Sequence, residues 1–148
     1  TLGQGALGGG LFVGALTVTD STISGNRTLG SGAYGGGIFA RNTLILRRST
    51  VSGNSTSSAA DAGGGGIFAY TNAEIIESTI TNNLARHPDS IGGGVLALTG
   101  DIDVYGSIIA GNSAGDRGHD LIGSQNFTTF TVNYSVIGDN DATPLVES

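Results

Sequence analysis

The chain contains no cysteine, methionine, tryptophan or lysine, so its six basic residues are all arginine. The absence of cysteine excludes disulfides and thiolate metal sites. Charged residues make up only 12% of its 148 residues, which is about half the usual share. Because 38% of the residues are hydrophobic, the composition also excludes intrinsic disorder, which needs high charge and few apolar side chains.

Positive charge is scarce, with six basic residues against 12 acidic ones. Nucleic acids and anionic membrane surfaces both bind basic patches, so the charge balance argues against either as a partner. No apolar run approaches the roughly 18 residues of a membrane span. We therefore predict no nucleic-acid partner and no membrane span.

Glycine is abundant, with 27 residues, and it occurs in blocks. This clustering excludes collagen, which needs glycine at every third position. A Gly-Gly-Gly block followed by two apolar residues occurs at 8–12, 35–39, 64–68 and 92–96, and a degenerate fifth copy begins near Leu121. The blocks mark the starts of internal repeats.

A second motif, Ser-Thr-Ile-Ser-Gly-Asn, occupies residues 21–26, and related sequences occupy 49–54, 78–83, 107–112 and 135–140. Their final asparagines lie 28, 29, 29 and 28 positions apart. A nearly fixed period of this length is typical of a solenoid, in which stacked coils bury one another's apolar sides. We predict repeats over residues 8–34, 35–63, 64–91, 92–120 and 121–148.

Apolar and polar residues alternate between the motifs, which is the period of a β-strand. The alternation predicts inward columns that contain Leu16, Leu44, Ala73, Ile102 and Phe130; Val18, Leu46, Ile75, Val104 and Val132; and Ile23, Val51, Ile80, Ile109 and Ile137. A further column follows the glycines and contains Leu11, Ile38, Ile67, Val95 and Leu121. Outward positions include Thr17, Thr19, Glu74, Asp103, Tyr105 and Asn133.

The final asparagine of each motif forms a column of its own: Asn26, Asn54, Asn83, Asn112 and Asn140. Asparagine tolerates a left-handed turn, and stacked amides can form a hydrogen-bonded ladder. The alternative is glycosylation, because Asn26 and Asn54 begin acceptor sequons, as does Asn126. A buried ladder is the preferred interpretation for the column.

The Gly-Gly-Gly-Ile-Phe and Ser-Thr-Ile-Ser-Gly-Asn repeats resemble those of right-handed parallel β-helix proteins from bacterial surfaces and secretions, within the pectate-lyase-like superfamily. The resemblance implies an all-β fold, a right-handed parallel β-helix (solenoid) of about five coils of about 28 residues. It also implies a non-enzymatic structural or adhesive module of a bacterial extracellular or cell-surface protein. The superfamily includes polysaccharide lyases and hydrolases, so a carbohydrate-active β-helix is the alternative.

Residues 1–10 match residues 28–37 at eight of ten positions, so the repeat pattern is already under way at Thr1. We expect residues 1–148 to be a single β-helix domain that is a fragment of a longer solenoid, or one whose copies stack end to end into a filament. The expected partners are further coils or further copies, and a surface glycan or protein ligand.

Four polar residues fall on neighbouring outward positions of adjacent coils: Asn72, Glu74, Asp101 and Asp103. This acidic patch is a candidate Ca²⁺ site, and Glu74, Asp101 and Asp103 are candidate acid and base residues for glycoside cleavage. Arg47 or Arg48, one coil away, would be the base of a pectate-type lyase. The simpler interpretation is a solvated acidic surface, and Arg48 is expected to form surface ion pairs with Asp20 and Glu77.

Two weaker signals complete the candidates. Residues 115–123 fit a Ca²⁺-binding nonapeptide except at Asp116, which makes Asp116 and Asp120 candidate metal ligands. No other cofactor is predicted, and His87 and His119 have no partner at ligand spacing. Two outward rows of hydroxyl residues suggest ice binding as a second alternative function; the rows contain Thr22, Thr50 and Thr79, and Ser24, Ser52 and Thr81.

Overall fold

The computed structural model describes residues 5–57, 62–123, 127–140 and 145–146, and within these the regular elements are β-strands. The first turn contains β1 (Leu11–Val13), β2 (Leu16–Thr19), β3 (Thr22–Ser24) and β4 (Arg27–Leu29). The second contains β5 (Ile38–Ala40), β6 (Leu44–Arg47), β7 (Thr50–Ser52) and β8 (Ser55–Ser57). The third contains β9 (Ile67–Ala69), β10 (Ala73–Ile76), β11 (Thr79–Thr81) and β12 (Leu84–Ala85).

The same order of strands continues along the rest of the chain. The fourth turn contains β13 (Val95–Ala97), β14 (Gly100–Tyr105), β15 (Ile108–Ile109) and β16 (Ser113–Ala114). Strands β17 (Leu121–Gly123), β18 (Thr128–Asn133) and β19 (Val136–Ile137) follow, and β20 (Leu145–Val146) pairs with β18. None of the described segments forms a helix that has the length and hydrophobicity needed to cross a bilayer.

Equivalent strands of successive turns pair in parallel and build four sheets. Sheet 1 is β1-β5-β9-β13-β17, sheet 2 is β2-β6-β10-β14-β18-β20, sheet 3 is β3-β7-β11-β15-β19 and sheet 4 is β4-β8-β12-β16. The protein is therefore an all-β parallel β-solenoid, as predicted, with about four turns of roughly 28 residues each. The strands β17 to β20 add further layers beyond the fourth turn.

The register of the strands places like residues on like residues. In sheet 2, for example, Val18, Leu46, Ile75, Val104 and Val132 follow one another in direct register. All four inward columns predicted from the alternation are confirmed, and they form one continuous apolar core along the axis. Each turn thus buries the apolar side chains of its neighbours, which no turn could bury alone.

A second apolar cluster lies on the other side of sheet 1. It contains Phe39, Phe68, Leu96 and Ile122, against which Leu7, Tyr34 and Ile91 pack from the segments that precede each glycine block. The rings of Phe39 and Phe68 are stacked, with centroids 5.0 Å apart and planes 10° apart. Sheet 1 is therefore buried on both faces in its central turns, which the sequence did not reveal.

Each of the three positions in a glycine block requires glycine for a different structural reason. In the third turn, Gly64 has a left-handed backbone with a φ of 63°. A Cβ on Gly65 would lie 2.5 Å from the Gly93 oxygen of the next turn and 2.5 Å from the Leu84 carbonyl carbon. A Cβ on Gly66 would lie 2.9 Å from the side-chain amide of Asn83. The third glycine therefore makes room for the asparagine that ends the second motif, so the two motifs form one packing unit.

Candidate functional site

The predicted acidic patch lies on the outer face of sheet 2. Glu74 and Asp103 are in direct register on β10 and β14, and the Asp101 backbone nitrogen donates a hydrogen bond of 3.1 Å to Asn72 Oδ1. Asp101 and Asp103 are exposed, and Glu74 is half-buried. The structure thus brings together the four residues that sequence reasoning grouped.

Arg47 supplies a counter-charge at one side of the patch. Its Nη2 donates to Glu74 Oε2 at 3.0 Å, and both side chains remain about two-fifths exposed to solvent. A pair this exposed contributes little to stability. It does, however, engage the carboxylate of Glu74, so the charges of Asp101 and Asp103 dominate the patch.

The Ca²⁺ hypothesis for this patch depends on acidic side chains that lie close together. Across residues 5–57, 62–123, 127–140 and 145–146, no three or more His, Cys, Asp or Glu residues are grouped so that they could hold a metal ion. The arrangement presents carboxylate, amide and guanidinium groups on a sheet face. It can accept and donate hydrogen bonds to a surface ligand.

Arg48 forms an ion pair outside the patch, as predicted. Its Nε and Nη2 donate to the two carboxylate oxygens of Asp20, at 2.7 Å and 2.9 Å. These hydrogen bonds lower the pKa of Asp20 below its ordinary value. Asp20 also raises the pKa of Arg48, with a smaller contribution from the charge of Glu77. The predicted ion pair of Arg48 with Asp20 is confirmed, whereas Glu77 acts on Arg48 only through its charge.

Two exposed tyrosines lie beyond the acidic patch, on the last turns. The rings of Tyr105 and Tyr134 meet edge to face, with centroids 5.4 Å apart and planes 75° apart. Tyr134 is 86% exposed, and the neighbouring Ile108 and Val136 are exposed too. The sequence analysis noted Tyr105 but missed Tyr134. Tyr134 could have been found from the repeat register, because it occupies the same column as Asp20, Arg48 and Glu77. All four residues of this column have a left-handed backbone conformation.

The asparagine column forms a hydrogen-bonded ladder. Asn26 donates to Asn54 Oδ1 from its backbone nitrogen at 2.9 Å and from Nδ2 at 3.0 Å. Asn54 donates in the same way to Asn83, and Asn83 to Asn112. Asn54 has no exposed surface, which leaves its sequon inaccessible in the folded chain. Asn126 lies outside the described residues.

The ladder differs from the sequence prediction in two respects. The left-handed backbone conformations belong to the preceding column, which contains Gly25, Gly53, Asn82 and Gly111, and not to the ladder asparagines. The acceptor after Asn112 is Asp120 and not Asn140: Asp120 Oδ1 accepts from the Asn112 backbone nitrogen at 2.7 Å and from Nδ2 at 2.8 Å.

The position of Asp120 explains this second difference. Residues 118–120 are the fifth counterpart of the glycine block, since the backbone nitrogens of Gly93 and Gly94 donate to the oxygens of Gly118 and His119. Asp120 therefore occupies the position of the third glycine, where a side chain enters the space of the ladder amide. Its carboxylate takes the place predicted for Asn140, and its other oxygen accepts from the Asp139 backbone nitrogen at 2.7 Å.

Asp116, the other candidate ligand in the predicted Ca²⁺ nonapeptide, lies apart from this ladder. Asp116 is exposed, and its carboxylate is 3.6 Å from Arg117 Nε, whereas Asp120 is buried. His119 Nδ1 accepts a hydrogen bond of 2.9 Å from the Ala114 backbone nitrogen. The Asp120 oxygens are thus engaged in backbone and amide hydrogen bonds within the solenoid.

The serines that begin the second motif form another ladder, which sequence reasoning missed. The backbone nitrogen of Ser21 donates to Ser49 Oγ at 3.1 Å, and the same contact joins Ser49 to Ser78, Ser78 to Ser107 and Ser107 to Ser135. The available signal was the serine at the start of all five motif copies. The motif therefore contributes two ladders, one from each end.

The two hydroxyl rows lie on sheet 3 in the predicted register. Thr22, Thr50 and Thr79 are aligned across β3, β7 and β11, and Ser24, Ser52 and Thr81 are aligned beside them. The next two strands continue the first row with Ile108 and Val136. The hydroxyl surface thus spans three turns and then becomes apolar.

Comparison with known proteins adds no relative from which a function could be transferred. The chain matches no family model, no curated protein and no solved structure. The fold and the surfaces described above are therefore the basis for assigning a function.

Proposed function

We propose that this protein is a non-enzymatic structural module, a rigid β-solenoid that serves as spacer and display surface in a bacterial extracellular or cell-surface protein. The observation that carries the proposal is the pair of internal ladders. The serine and asparagine of each turn bond to the next turn through side chains as well as through the sheets. Such cross-turn bonds resist separation of the turns along the axis.

The outer face of sheet 2 supports the display part of the proposal. Glu74, Asp101 and Asp103 project from a sheet face, and Tyr105 and Tyr134 stand beside them. The connections that flank the sheet, such as Gly14–Ala15 and Asp20–Ser21, are short. A polar sheet face with adjoining tyrosines suits adhesive contact with a surface glycan or protein better than enclosure of a substrate.

The spacer role is tested by pulling single molecules between the first and last turns. A spacer held by continuous ladders should unfold in one cooperative event. Asn83→Ala, in the middle of the asparagine ladder, should lower the unfolding force, while the exposed-site control Asp116→Asn should leave it unchanged. Stepwise loss of turns at low force in the unmodified protein would reject the rigid-spacer role.

A carbohydrate-active enzyme is the competing function, with Glu74, Asp101 and Asp103 as its acid and base residues. The Glu74 carboxylate is already bound by Arg47 at 3.0 Å, an arrangement that favours a charged surface over a carboxyl group free to donate a proton to a substrate. The unmodified protein is incubated with acidic polysaccharides with and without Ca²⁺. Depolymerisation that is lost in both Glu74→Gln and Asp103→Asn would establish the enzyme and reject the structural module.

Ice binding is the second alternative, supported by the register of the hydroxyl rows on sheet 3. It is tested by thermal hysteresis at high protein concentration. Hysteresis that is lost when Thr50 and Thr79 are replaced by valine would favour ice binding, and its absence in the unmodified protein would reject it.

A further inference from the structure

Two exposed tyrosines meet across the boundary between two turns. The ring centroids of Tyr105 and Tyr134 are 5.4 Å apart and the ring planes are 75° apart, while Tyr105 is 48% and Tyr134 is 86% exposed. Tyr105 ends β14, and its register partner Asn133 directly precedes Tyr134. The two phenols are therefore neighbours in space, although they are one repeat apart along the chain.

The exposure of Tyr134 follows from the column in which it lies. Arg48 and Glu77 occupy the same column in turns that have further turns on both sides, and both are exposed. The column thus points away from the solenoid axis. Gly106 occupies it in the fourth turn, where its backbone nitrogen donates to the Asn133 oxygen at 3.0 Å. Because glycine has no side chain, nothing at this position separates the Tyr134 ring from Tyr105.

The composition of the chain directs oxidation to tyrosine. Cysteine and methionine are the side chains that peroxides oxidise most readily, and tryptophan is the other aromatic side chain that loses an electron easily. The chain contains none of these three, so its four tyrosines are its main targets for a one-electron oxidant. Tyr34 and Tyr70 have the ring of Phe68 as a neighbour, and a phenylalanine ring cannot serve as the second phenol in a coupling reaction.

We propose that Tyr105 and Tyr134 form a modification site, at which a haem peroxidase with hydrogen peroxide joins the two rings as dityrosine. Each phenol gives one electron and its hydroxyl proton to the oxidant, and the two tyrosyl radicals couple through carbons ortho to the oxygens. The ortho hydrogen of each ring then moves to the oxygen and restores the phenol. Two C–H bonds and one molecule of hydrogen peroxide are thus converted into one C–C bond and two molecules of water.

The contact geometry favours coupling within one chain. The edge-to-face arrangement already brings the rim of one ring to its partner, and an exposed side chain such as Tyr134 rotates within picoseconds to nanoseconds. The two ortho carbons can therefore meet without movement of the strands. The cross-link joins the fourth turn covalently to the strands that follow it, and it does not depend on the structural role proposed above.

The test treats the complete chain, at low protein concentration, with a haem peroxidase and hydrogen peroxide. Cleavage after arginine places the four tyrosines in the separate peptides 28–41, 49–86, 87–117 and 118–148, so mass spectrometry identifies each coupled pair. We expect peptide 87–117 joined to 118–148, the fluorescence of dityrosine, and a monomeric chain that has lost two hydrogen atoms. Coupling only between chains, or between other pairs of peptides at equal yield, would overturn the proposal.

Phenylalanine variants identify the phenols that react. Tyr105→Phe and Tyr134→Phe each keep an aromatic ring but remove one phenol, so the cross-linked monomer should be absent from both. Tyr70→Phe is the matched control, because Tyr70 is 45% exposed and thus nearly as accessible as Tyr105, and its yield of cross-linked monomer should be unchanged. Loss of the product in Tyr70→Phe, or its persistence in Tyr134→Phe, would also overturn the proposal.

The stability of the product shows whether the link joins turns of the folded chain. A cross-link that closes a loop of one repeat restricts the unfolded chain, so the unfolding equilibrium constant should be at least about tenfold lower than in the identically treated Tyr105→Phe chain. Chemical denaturation measures both constants. A cross-linked chain that unfolds more readily than this control would show that the link forms only in an unfolded chain, which would refute a site built by the folded turns.

Discussion

Asn112 donates two hydrogen bonds to a single carboxylate oxygen of Asp120, from its backbone nitrogen at 2.7 Å and from Nδ2 at 2.8 Å. A ladder whose rungs are otherwise 28 or 29 residues apart therefore ends on a residue eight positions further along. The buried carboxylate receives a third hydrogen bond from the Asp139 backbone. Its charge is thus compensated by N–H donors, as burial of a charged group requires.

Removal of this carboxylate should destabilise the last turns. Asp120→Ala leaves the Asn112 and Asp139 donors without their acceptor, and we expect a loss of about 1–3 kcal/mol in the free energy of unfolding. The exposed Asp116→Ala is the matched control and should change it by less than about 0.5 kcal/mol. Urea denaturation measures both. Equal effects would contradict the role of Asp120 in the ladder.

A central rung should contribute more to stability than a terminal one. Asn83→Ala removes two donors and an acceptor that serves Asn54, so it should cost about 1–3 kcal/mol. Asn26→Ala should cost less, because its Oδ1 accepts from none of the described residues and its side chain is half-buried. The two variants are compared by chemical denaturation. An Asn83→Ala effect within about 0.3 kcal/mol of zero would show that the ladder does not stabilise the fold.

Substitutions at two glycines distinguish the cost of steric contact between turns from the cost of a left-handed backbone conformation. Gly65→Ala places a Cβ against backbone atoms of Leu84 in the same turn and Gly93 in the next turn, and we expect a loss of at least about 1–3 kcal/mol from overpacking. Gly25→Ala meets no atom within 4 Å but has a φ of 66°, so it should cost only about 1–2 kcal/mol of left-handed strain. Thermal unfolding gives the ranking. A larger loss in Gly25→Ala than in Gly65→Ala would reject the close approach of the turns.

The pKa of Asp20 should respond to Arg48. Hydrogen bonds from Arg48 lower the pKa of Asp20, so Arg48→Gln should raise that pKa towards the ordinary aspartate value, as measured by NMR titration of the side-chain carboxyl. Because the folded-state pKa is depressed, the pair stabilises the protein above the unfolded pKa of about 3.9. That stabilisation is lost as the pH falls through the folded pKa. An Asp20 pKa that is identical in the two proteins would contradict the pairing.

The inward columns could be predicted from the sequence because each strand alternates and each turn has nearly the same length. Val18, Leu46 and Ile75 occupy equivalent positions in both the pattern and the sheet. The outer cluster around Phe39 and Phe68 could not be predicted in the same way. A strand of three residues alternates too briefly to show that both of its faces are covered, and the covering residues Leu7, Tyr34 and Ile91 come from irregular segments.

The acidic patch was predictable to the same extent as the columns, since Glu74 and Asp103 follow from the repeat register. Its pairing with Arg47 was not, because Arg47 lies in the column next to Glu74 and the contact depends on the path of a long side chain. The column of a residue thus identifies its neighbours in the adjacent turns. Side-chain geometry decides which of those neighbours interact.

The sequence alone determined the period, the parallel β-solenoid and the residues that face inward, because a repeated alternation permits only one way to stack the turns and bury every apolar column. The tertiary structure decided how the asparagine ladder ends. Asn140 fits the repeat better than Asp120, yet Asp120 occupies the position of a glycine, where any side chain enters the ladder space. Two groups cannot fill that space, and only the packing of the turns shows which one does.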